Sequence, residues 1–323
     1  MSKYAVTSGI QTAPVKTVLY GPEGIGKSTF ASHFPDPVFI DTEGGTKQLN
    51  VKRLPQPTSW AMLLDEVAEV RKGNIPCGTL VIDTADWAER LCIQAVCAKA
   101  KVNGIEDFGY GKGYTYVKEE FSKLLDALEE VLNAGHNVVV LAHAAITKFE
   151  QPDAVGNYDR WTMKTSKQVA PLLREWCDML LFANYKTVVE KASSSPNAKN
   201  KASGGRRVLY TSHHPCWDAK NRHSLPDVLD LDYKNISSLF EQSATPALTP
   251  LDTLKEKMAE ANITELALLQ FVTSKGYQED AATVADYPDS FINGWVLKYW
   301  SQIVTALTAD AINNKNNGGI GNE

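Results

Sequence analysis

Short apolar runs alternate with amphipathic segments through the first part of the chain, up to residue 183. An apolar run of five or six residues, bounded by polar residues, predicts a strand buried on both faces. The predicted strands are residues 15–20, 37–41, 79–83, 137–142 and 178–183. Helical spacing between them predicts helices at 27–34, 59–72, 86–101, 115–134 and 166–176. This alternation predicts an α/β fold with a mainly parallel central sheet and helices on both faces.

The pattern changes after the fifth strand. YKTVVEK and RRVLYTS predict the two strands of a long hairpin within residues 184–222, joined by a stretch rich in Ser, Asn, Lys and Gly. The composition of residues 243–250, SATPALTP, predicts a linker. Residues 251–310 have the spacing of several short helices, and residues 311–323, dominated by Asn and Gly, predict a disordered tail. We therefore expect a core over residues 1–242 and a small all-helical C-terminal domain.

The distribution of charge supports this division into a core and a C-terminal domain, because the net charge of −5 is uneven along the chain. Residues 251–323 hold 5 basic and 10 acidic residues, which accounts for the whole excess. Residues 184–222 hold 8 basic and 2 acidic residues, so a nucleic acid would be expected to bind there first. No apolar run approaches the roughly 18 residues of a membrane span, and the N-terminus lacks the apolar core of a secretion signal. The expectation is a cytoplasmic protein that does not bind membranes.

The most specific motif is GPEGIGKS, at residues 21–28, which has the spacing G-x-x-x-x-G-K-[ST] of a phosphate-binding loop. A predicted strand precedes it and a predicted helix follows, as this loop requires. Its glycines let backbone N–H groups point at phosphates, while Lys27 would reach the β- and γ-phosphates and Ser28 would bind Mg²⁺. The predicted nucleotide-binding residues are Gly21, Pro22, Glu23, Gly24, Ile25, Gly26, Lys27, Ser28 and Thr29.

Three further side chains follow predicted strands. Asp83, in TLVIDTAD, is predicted to bind the nucleotide's Mg²⁺ through water, with helix capping as the alternative, for which Asp86 is the better candidate. Glu43, in VFIDTEGGT, can face the γ-phosphate and orient a water for attack, or lie in solvent. His143 follows VVVLA and is either a structural histidine or a sensor of the γ-phosphate.

GPEGIGKST followed by FIDTEGG resembles the RecA-type recombinases, in which the glutamate after the second strand is catalytic. The resemblance implies ATP as the nucleotide, Glu43 as the base and His143 at the position of the polar sensor. It also implies that residues 144–165 form a loop that contacts single-stranded DNA, with an ordinary surface loop as the alternative. The side chains suited to phosphate pairing or base stacking are Lys148, Arg160, Trp161 and Lys164 in this loop, and Lys199, Lys201, Arg206 and Arg207 in the basic hairpin.

A second resemblance lies in AKNR. Lys220 and Arg222 resemble the K-x-R of hexameric RecA-like ATPases, such as DnaB-type helicases, KaiC and bacterial RadA, which reaches the nucleotide of a neighbouring subunit. It implies a finger acting in trans and a homo-oligomeric ring or filament, with DNA contact or solvent exposure as alternatives. The whole motif order, over residues 15–241, resembles phage-encoded AAA-type ATP-binding proteins with a RecA-like core, which include Sak-class single-strand annealing recombinases.

Two functions from different classes follow from these motifs. The first is an ATP-hydrolysing DNA-recombination protein that anneals or pairs single strands, in the host cell cytoplasm if the chain is phage-encoded. The second is a ring-forming scaffold or loader that recruits a single-strand-binding or replication protein without DNA-stimulated hydrolysis. The acidic residues 251–310 suit a protein partner better than DNA, because like charges repel. A small-molecule kinase fits less well, since no arginine-rich lid is evident.

Overall fold

The computed structural model describes residues 8–9, 13–150, 156–191, 200–241 and 250–317. The strands are β1 (Lys16–Gly21), β2 (Pro37–Asp41), β3 (Lys52–Arg53), β4 (Thr79–Asp83), β5 (Asn137–Glu150), β6 (Asn157–Met163), β7 (Met179–Lys191), β8 (Asn200–Tyr210) and β9 (Val228–Asp230). The helices are α1 (Lys27–Ala31), α2 (Trp60–Arg71), α3 (Ala85–Ala100), α4 (Lys112–Asn133), α5 (Val169–Trp176), α6 (Ser238–Glu241), α7 (Pro250–Glu260), α8 (Glu265–Ser274), α9 (Asp289–Phe291) and α10 (Trp300–Asn317). The chain divides into two compact units between residues 244 and 245.

One sheet organises the first unit. Its strand order is β3-β2-β4-β5-β1-β7-β8-β9, and β6 pairs with β5 outside this row. The pairs from β3 to β7 are parallel, whereas β5–β6, β7–β8 and β8–β9 are antiparallel. The predicted α/β fold with a mainly parallel sheet is therefore confirmed.

Alternate residues of the strands enter two separate cores. Val18 and Tyr20 of β1 pack into the core that α2, α3, α4 and α5 cover, while Leu19 packs into the core of Phe30 and Phe240 from α1 and α6. A strand with a core on each face needs apolar residues at every position, which is why these strands appear as continuous apolar runs. Because the strands from β3 to β7 are parallel, their carboxyl ends lie at the same edge of the sheet.

Two boundaries differ from the sequence prediction. β5 continues past the core to Glu150 and pairs with β6, so the described parts of the loop predicted over residues 144–165 are mainly two paired antiparallel strands. These two strands mix charged and apolar residues, and backbone pairing stabilises them without an apolar run. α1 ends at Ala31 rather than residue 34, because Pro35 disfavours helical backbone just before it.

The basic hairpin forms as predicted from two strands. β7 leaves the core and pairs with β8 from Phe182↔Tyr210 to Lys191↔Asn200, with a shift in register after Lys186. Residues 192–199, which include Lys199, lie outside the described part. The hairpin is therefore an extension of a core strand, which ties its position to that of the sheet.

The regular elements described in the second unit are all helices, as predicted. Its core contains Leu254, Leu268, Val272 and Val296, contributed by α7, α8 and the turn of π-helix before α10. α10 ends at Asn317, so the described residues 311–317 of the predicted tail are helical. Among the helices that the structure describes in either unit, none is long and apolar enough to cross a membrane.

Candidate nucleotide site

The loop between β1 and α1 has the backbone of a phosphate-binding loop. Gly26 has a φ of 107°, a left-handed conformation that a side chain would strain. Gly21 is required for a different reason, because a Cβ there would lie 2.4 Å from the carbonyl oxygen of Ala183 in β7. The loop can therefore curl beside its neighbouring strand with its N–H groups free to bind an anion.

Lys27 lies at the centre of this loop and is buried, with 6 % of its surface exposed. Its Nζ donates to the carbonyl oxygens of Gly21, at 3.1 Å, and Pro22, at 3.0 Å. Burial lowers the pKa of Lys27, while nearby carboxylates, first Asp83, oppose that shift. A buried ammonium held within its own loop is suited to pair with a phosphate, which would offset its desolvation.

Ser28 and Asp83 meet where Mg²⁺ would be bound. The Ser28 hydroxyl donates to Asp83 Oδ2 at 2.6 Å, although β1 and β4 are separated by β5 in the sheet. Burial raises the pKa of Asp83 to about 6, and the charges of Asp41 and Glu43 contribute to the rise. A divalent cation would neutralise this excess of buried carboxylate, so the donor set fits Mg²⁺. The described residues contain no cluster of three His, Cys, Asp or Glu that could hold a metal.

Glu43 lies on a tight loop that Asp41 organises. The Asp41 carboxylate accepts hydrogen bonds from the backbone N–H groups of Gly44 and Thr46, at 2.7 and 2.8 Å, and from the Thr46 hydroxyl at 2.6 Å. Burial would raise the pKa of Asp41, but these bonds outweigh it and hold the pKa below its ordinary value. Sequence reasoning missed this role of Asp41, which the apolar run just before it in FIDTEGG could have indicated.

His143 completes the site from the neighbouring strand. It pairs in register with Gly21 across β5 and β1, and its ring lies between Asp86 and Glu43. Asp86 accepts bonds from the backbone N–H and the ring Nδ1 of His143, at 3.0 and 2.9 Å. Helix capping, the alternative for which Asp86 is the better candidate in the sequence, is not its role, because the N-cap of α3 is Thr84.

One open cavity of about 430 Å³ brings the predicted chemistry together. Its volume is suited to a triphosphate and sugar rather than to a single ion. Its lining includes Glu23, Gly24, Gly26, Lys27, Ser28, Thr29, Glu43, Asp83 and His143. The remaining predicted loop residues are Gly21, Pro22 and Ile25. The carbonyl oxygens of Gly21 and Pro22 accept bonds from Lys27, and that of Ile25 accepts a bond from Arg207.

Two residues predicted to bind DNA make contacts within the protein. Arg160 is 6 % exposed and donates to Asp218 at 2.6 Å, and Trp161 packs its ring 5.9 Å from that of Phe182. The prediction that Arg160 binds DNA is wrong for this arrangement, because its guanidinium is buried and paired. Trp161 is only partly buried, so its contact with DNA stays a prediction. Lys148, in contrast, is exposed at the hairpin and lies 4.0 Å from Asp159.

The other predicted DNA contacts divide between the phosphate loop and the sheet edge. Lys164 Nζ lies 3.1 Å from Glu23 Oε1, and Arg207 Nη1 donates to the Ile25 carbonyl oxygen at 3.3 Å. Arg206 instead bonds Asp230 of β9. Lys201 lies in β8, with its side chain outside the described part. Both hairpins therefore contact the phosphate loop through a cation, which the sequence did not predict.

Lys220 and Arg222 lie at the opposite end of the sheet. Lys220 Nζ donates to the Arg174 carbonyl oxygen at the end of α5, at 2.8 Å. Arg222 Nη1 donates to Asp178 Oδ1 at 3.0 Å, and Asp178 binds the backbone of Lys16 at the start of β1. The structure therefore does not bring this pair to the phosphate loop of its own chain.

A model of a family described as an AAA domain matches residues 13–223. The chain belongs to this AAA domain family. The match spans the AAA protein from before β1 to just after Arg222, and it ends before the helical second unit. No curated protein matches the sequence. Among solved structures, the AAA protein is similar to a KaiC-like protein of the hyperthermophilic archaeon Pyrococcus horikoshii OT3, with 13 % identity and a TM-score of 0.36 over 66 % of this chain and 83 % of that chain.

Proposed function

We propose that this AAA protein binds ATP with Mg²⁺ and hydrolyses it. The observation that carries the proposal is the convergence of Lys27, the Ser28–Asp83 pair, Glu43 and His143 on one cavity. Lys27 would bind the β- and γ-phosphates, Ser28 and Asp83 would hold the metal and its waters, and Glu43 would take a proton from the attacking water. His143 would sense the terminal phosphate from the adjacent strand.

ATP turnover tests this proposal directly. We expect phosphate release that requires Mg²⁺, is lost on chelation with EDTA and returns when Mg²⁺ is restored. Binding of a fluorescent ATP analogue, measured in parallel, separates loss of binding from loss of chemistry. A chain that binds ATP with Mg²⁺ but releases no phosphate under any condition would contradict the proposal of hydrolysis.

We further propose that the substrate is single-stranded DNA, which the protein anneals or pairs during recombination. Sequence supports this through the excess of positive charge over residues 184–222 and the resemblance to Sak-class recombinases. The contacts of Lys164 and Arg207 with the phosphate loop give DNA on either hairpin a route to the nucleotide. We expect single-stranded DNA to raise ATP turnover, and its affinity to fall steeply with salt.

The proposed active form is a ring or filament. Lys220 and Arg222 lie far from the phosphate loop of their own chain, which favours a role at the nucleotide of a neighbouring copy. A cation supplied there would stabilise charge in the transition state. Sizing with a non-hydrolysable ATP analogue tests this directly, and a protein that remains monomeric with nucleotide and DNA would contradict it.

A scaffold or loader is the second candidate, and the helical second unit favours it. This unit is acidic, and its described surface carries aromatic side chains, with Tyr277 43 % and Tyr299 38 % exposed beside Trp295. Such a surface suits a single-strand-binding or replication protein better than a phosphate backbone. Hydrolysis that single-stranded DNA leaves unchanged, together with ring assembly, would favour this candidate over recombination.

A further inference from the structure

His143 is held rigidly on one side and faces a gap on the other. Its Nδ1 lies 2.9 Å from Asp86 Oδ2, and its Nε2 lies 3.7 Å from Glu43 Oε2. The side chains of His143 and Asp86 are about one-tenth exposed, whereas that of Glu43 is 35 % exposed. The imidazole is therefore fixed, and the carboxylate of Glu43 has room to move toward or away from it.

The direction of the Asp86 bond determines which ring nitrogen carries hydrogen. Burial would raise the pKa of Asp86, but the bonds from His143 outweigh burial and keep the pKa below its ordinary value. Asp86 is thus an ionised carboxylate, which can accept but not donate. Nδ1 must supply the hydrogen, and in the neutral ring Nε2 is left as an acceptor toward Glu43.

The gap between Nε2 and Glu43 has the character of a water site. At 3.7 Å the two atoms are too far apart for a direct hydrogen bond, and with the neutral ring both are acceptors. A water molecule can donate one hydrogen to each of them, after a small rotation of the Glu43 side chain widens the gap. With both hydrogens engaged, the lone pairs of the water oxygen point into the cavity that Lys27 and Ser28 line.

We infer that Asp86 is a positioning residue, which orients His143 so that Nε2 and the Glu43 carboxylate together hold the water that attacks the terminal phosphate. The inference rests on the proposed hydrolysis of ATP. The water oxygen forms a bond to phosphorus, the bond from phosphorus to the bridging oxygen breaks, and ADP leaves with that electron pair. The proton of the water passes to Glu43.

Backbone contacts hold this arrangement from both sides. Besides the bond to Asp86, the His143 carbonyl oxygen accepts from the backbone N–H of Lys164 at 2.8 Å. Lys164 in turn pairs with Glu23 of the phosphate loop. Asp86 lies in the first turn of α3, and Asp83 lies three residues earlier, at the end of β4. The same strand-to-helix junction therefore positions both the metal site and the histidine.

Nitrogen NMR on the full chain with ¹⁵N-labelled histidine tests the orientation without any turnover. His143→Gln assigns the signal. We expect Nδ1 to carry hydrogen and Nε2 to be bare in the wild type. Asp86→Asn should reverse this, because the Asn oxygen still accepts from the His143 backbone and turns its NH₂ toward Nδ1. A hydrogen on Nε2 in the wild type, or no change in Asp86→Asn, would overturn the inference.

Kinetics test the function of the pair. We expect Asp86→Asn to lower kcat by about 100-fold with little change in KM for ATP, because orientation of the water and not binding is lost. The double variant with His143→Gln should be no slower than His143→Gln alone, since Asp86 acts through the ring. Glu89→Gln is the matched control, as Glu89 is buried one turn further along α3 and accepts from the Ser166 backbone.

The outcomes separate the two proposals. A wild-type chain that hydrolyses no ATP would overturn both the proposed function and the proposed role of the water. The NMR result would still decide whether Asp86 orients His143. Normal kcat in Asp86→Asn, or losses that add in the double variant, would overturn the positioning role and leave the ATPase proposal intact.

Discussion

Basic residues lie at both ends of the central sheet, and only those at one end contact the phosphate loop. Lys164 and Arg207, which the sequence assigns to DNA, contact the phosphate loop at the carboxyl ends of the parallel strands. Lys220 and Arg222, which the AKNR motif assigns to the nucleotide, bond α5 and Asp178 near the amino end of β1. The six residues of β1 separate these ends by about 17 Å.

The difference shows that the end of a sheet at which a cation lies determines which nucleotide it can reach. A cation at the carboxyl end can act on the nucleotide of its own chain. A cation at the amino end needs a second copy. Both sets consist of basic side chains, so their chemistry alone does not distinguish them.

The largest effects are expected at the phosphate-loop end. Lys27→Ala should abolish ATP binding, because it removes the cation at the centre of the loop. Glu43→Gln should keep binding and lower hydrolysis by about 10²–10⁴-fold, because the amide cannot take the proton of the attacking water. Analogue binding and phosphate release measure the two effects. Glu69→Gln, on the exposed face of α2, is the matched control, and normal turnover in Glu43→Gln would rule out the base assignment.

The amino end is tested by mixing subunits. We expect Arg222→Ala to lower turnover by about 10³-fold or more, as loss of a trans-acting cation does in other ATPases. Mixtures of Arg222→Ala and Lys27→Ala subunits should regain part of the activity, because an interface can form with an intact Lys27 and an intact Arg222. No recovery at any mixing ratio would assign Arg222 to its own chain and remove the contrast between the two ends.

Glu66 of α2 is buried and does not line the nucleotide cavity, so its substitution tests whether a change in stability alone changes ATP turnover. Both carboxylate oxygens are buried without a hydrogen-bond partner, and burial raises the pKa of Glu66 to about 7. The unfolded chain releases this proton near pH 4.5, so the stability penalty grows as pH rises from about 4.5 to 7. Glu66→Leu should stabilise the fold by about 1–3 kcal/mol at pH 8 and flatten this dependence, measured by denaturant unfolding, while turnover stays unchanged. Equal gains at pH 4 and pH 8 would contradict ionisation as the cause.

Two adjacent arginines sharpen the comparison within one hairpin. Arg207→Ala should raise the Kd for ATP by about three- to tenfold, because it removes the bond to the Ile25 carbonyl oxygen of the phosphate loop. Arg206→Ala, whose side chain bonds Asp230, should leave that Kd unchanged. Both variants should bind single-stranded DNA more weakly. Each should reduce the slope of log affinity against log salt concentration by about 0.7. Equal effects on ATP would show that hairpin charge, and not the contact, is responsible.

The smallest effect is expected from Lys164→Ala. Its partner Glu23 is 72 % exposed, so solvent screens the attraction between the two charges and the pair contributes little. The Kd for ATP should change by no more than about twofold, and DNA stimulation should fall if Lys164 relays DNA contact to the loop. Titration of ATP with and without single-stranded DNA measures both quantities. An unchanged stimulation would leave Arg207 as the better candidate for that relay.

Sequence reasoning was most successful where function requires a local pattern. The spacing of Gly21, Gly26, Lys27 and Ser28 predicted the loop, since its backbone conformation depends on residues within one turn. It failed for Arg160, because the burial of this side chain depends on its pairing with Asp218, which lies 58 residues further along the chain. A local pattern could not predict that contact.

By itself, the sequence determined the α/β alternation, the strands buried on both faces and the identity of the phosphate loop, because apolar period and glycine spacing are local properties. Only the tertiary structure decided that Asp86 binds His143, that Arg207 reaches Ile25 and that Arg222 lies at the far end of the sheet. These contacts join residues between 44 and 182 positions apart, and the order of strands in the sheet, which the crossovers set, brings them together or keeps them apart.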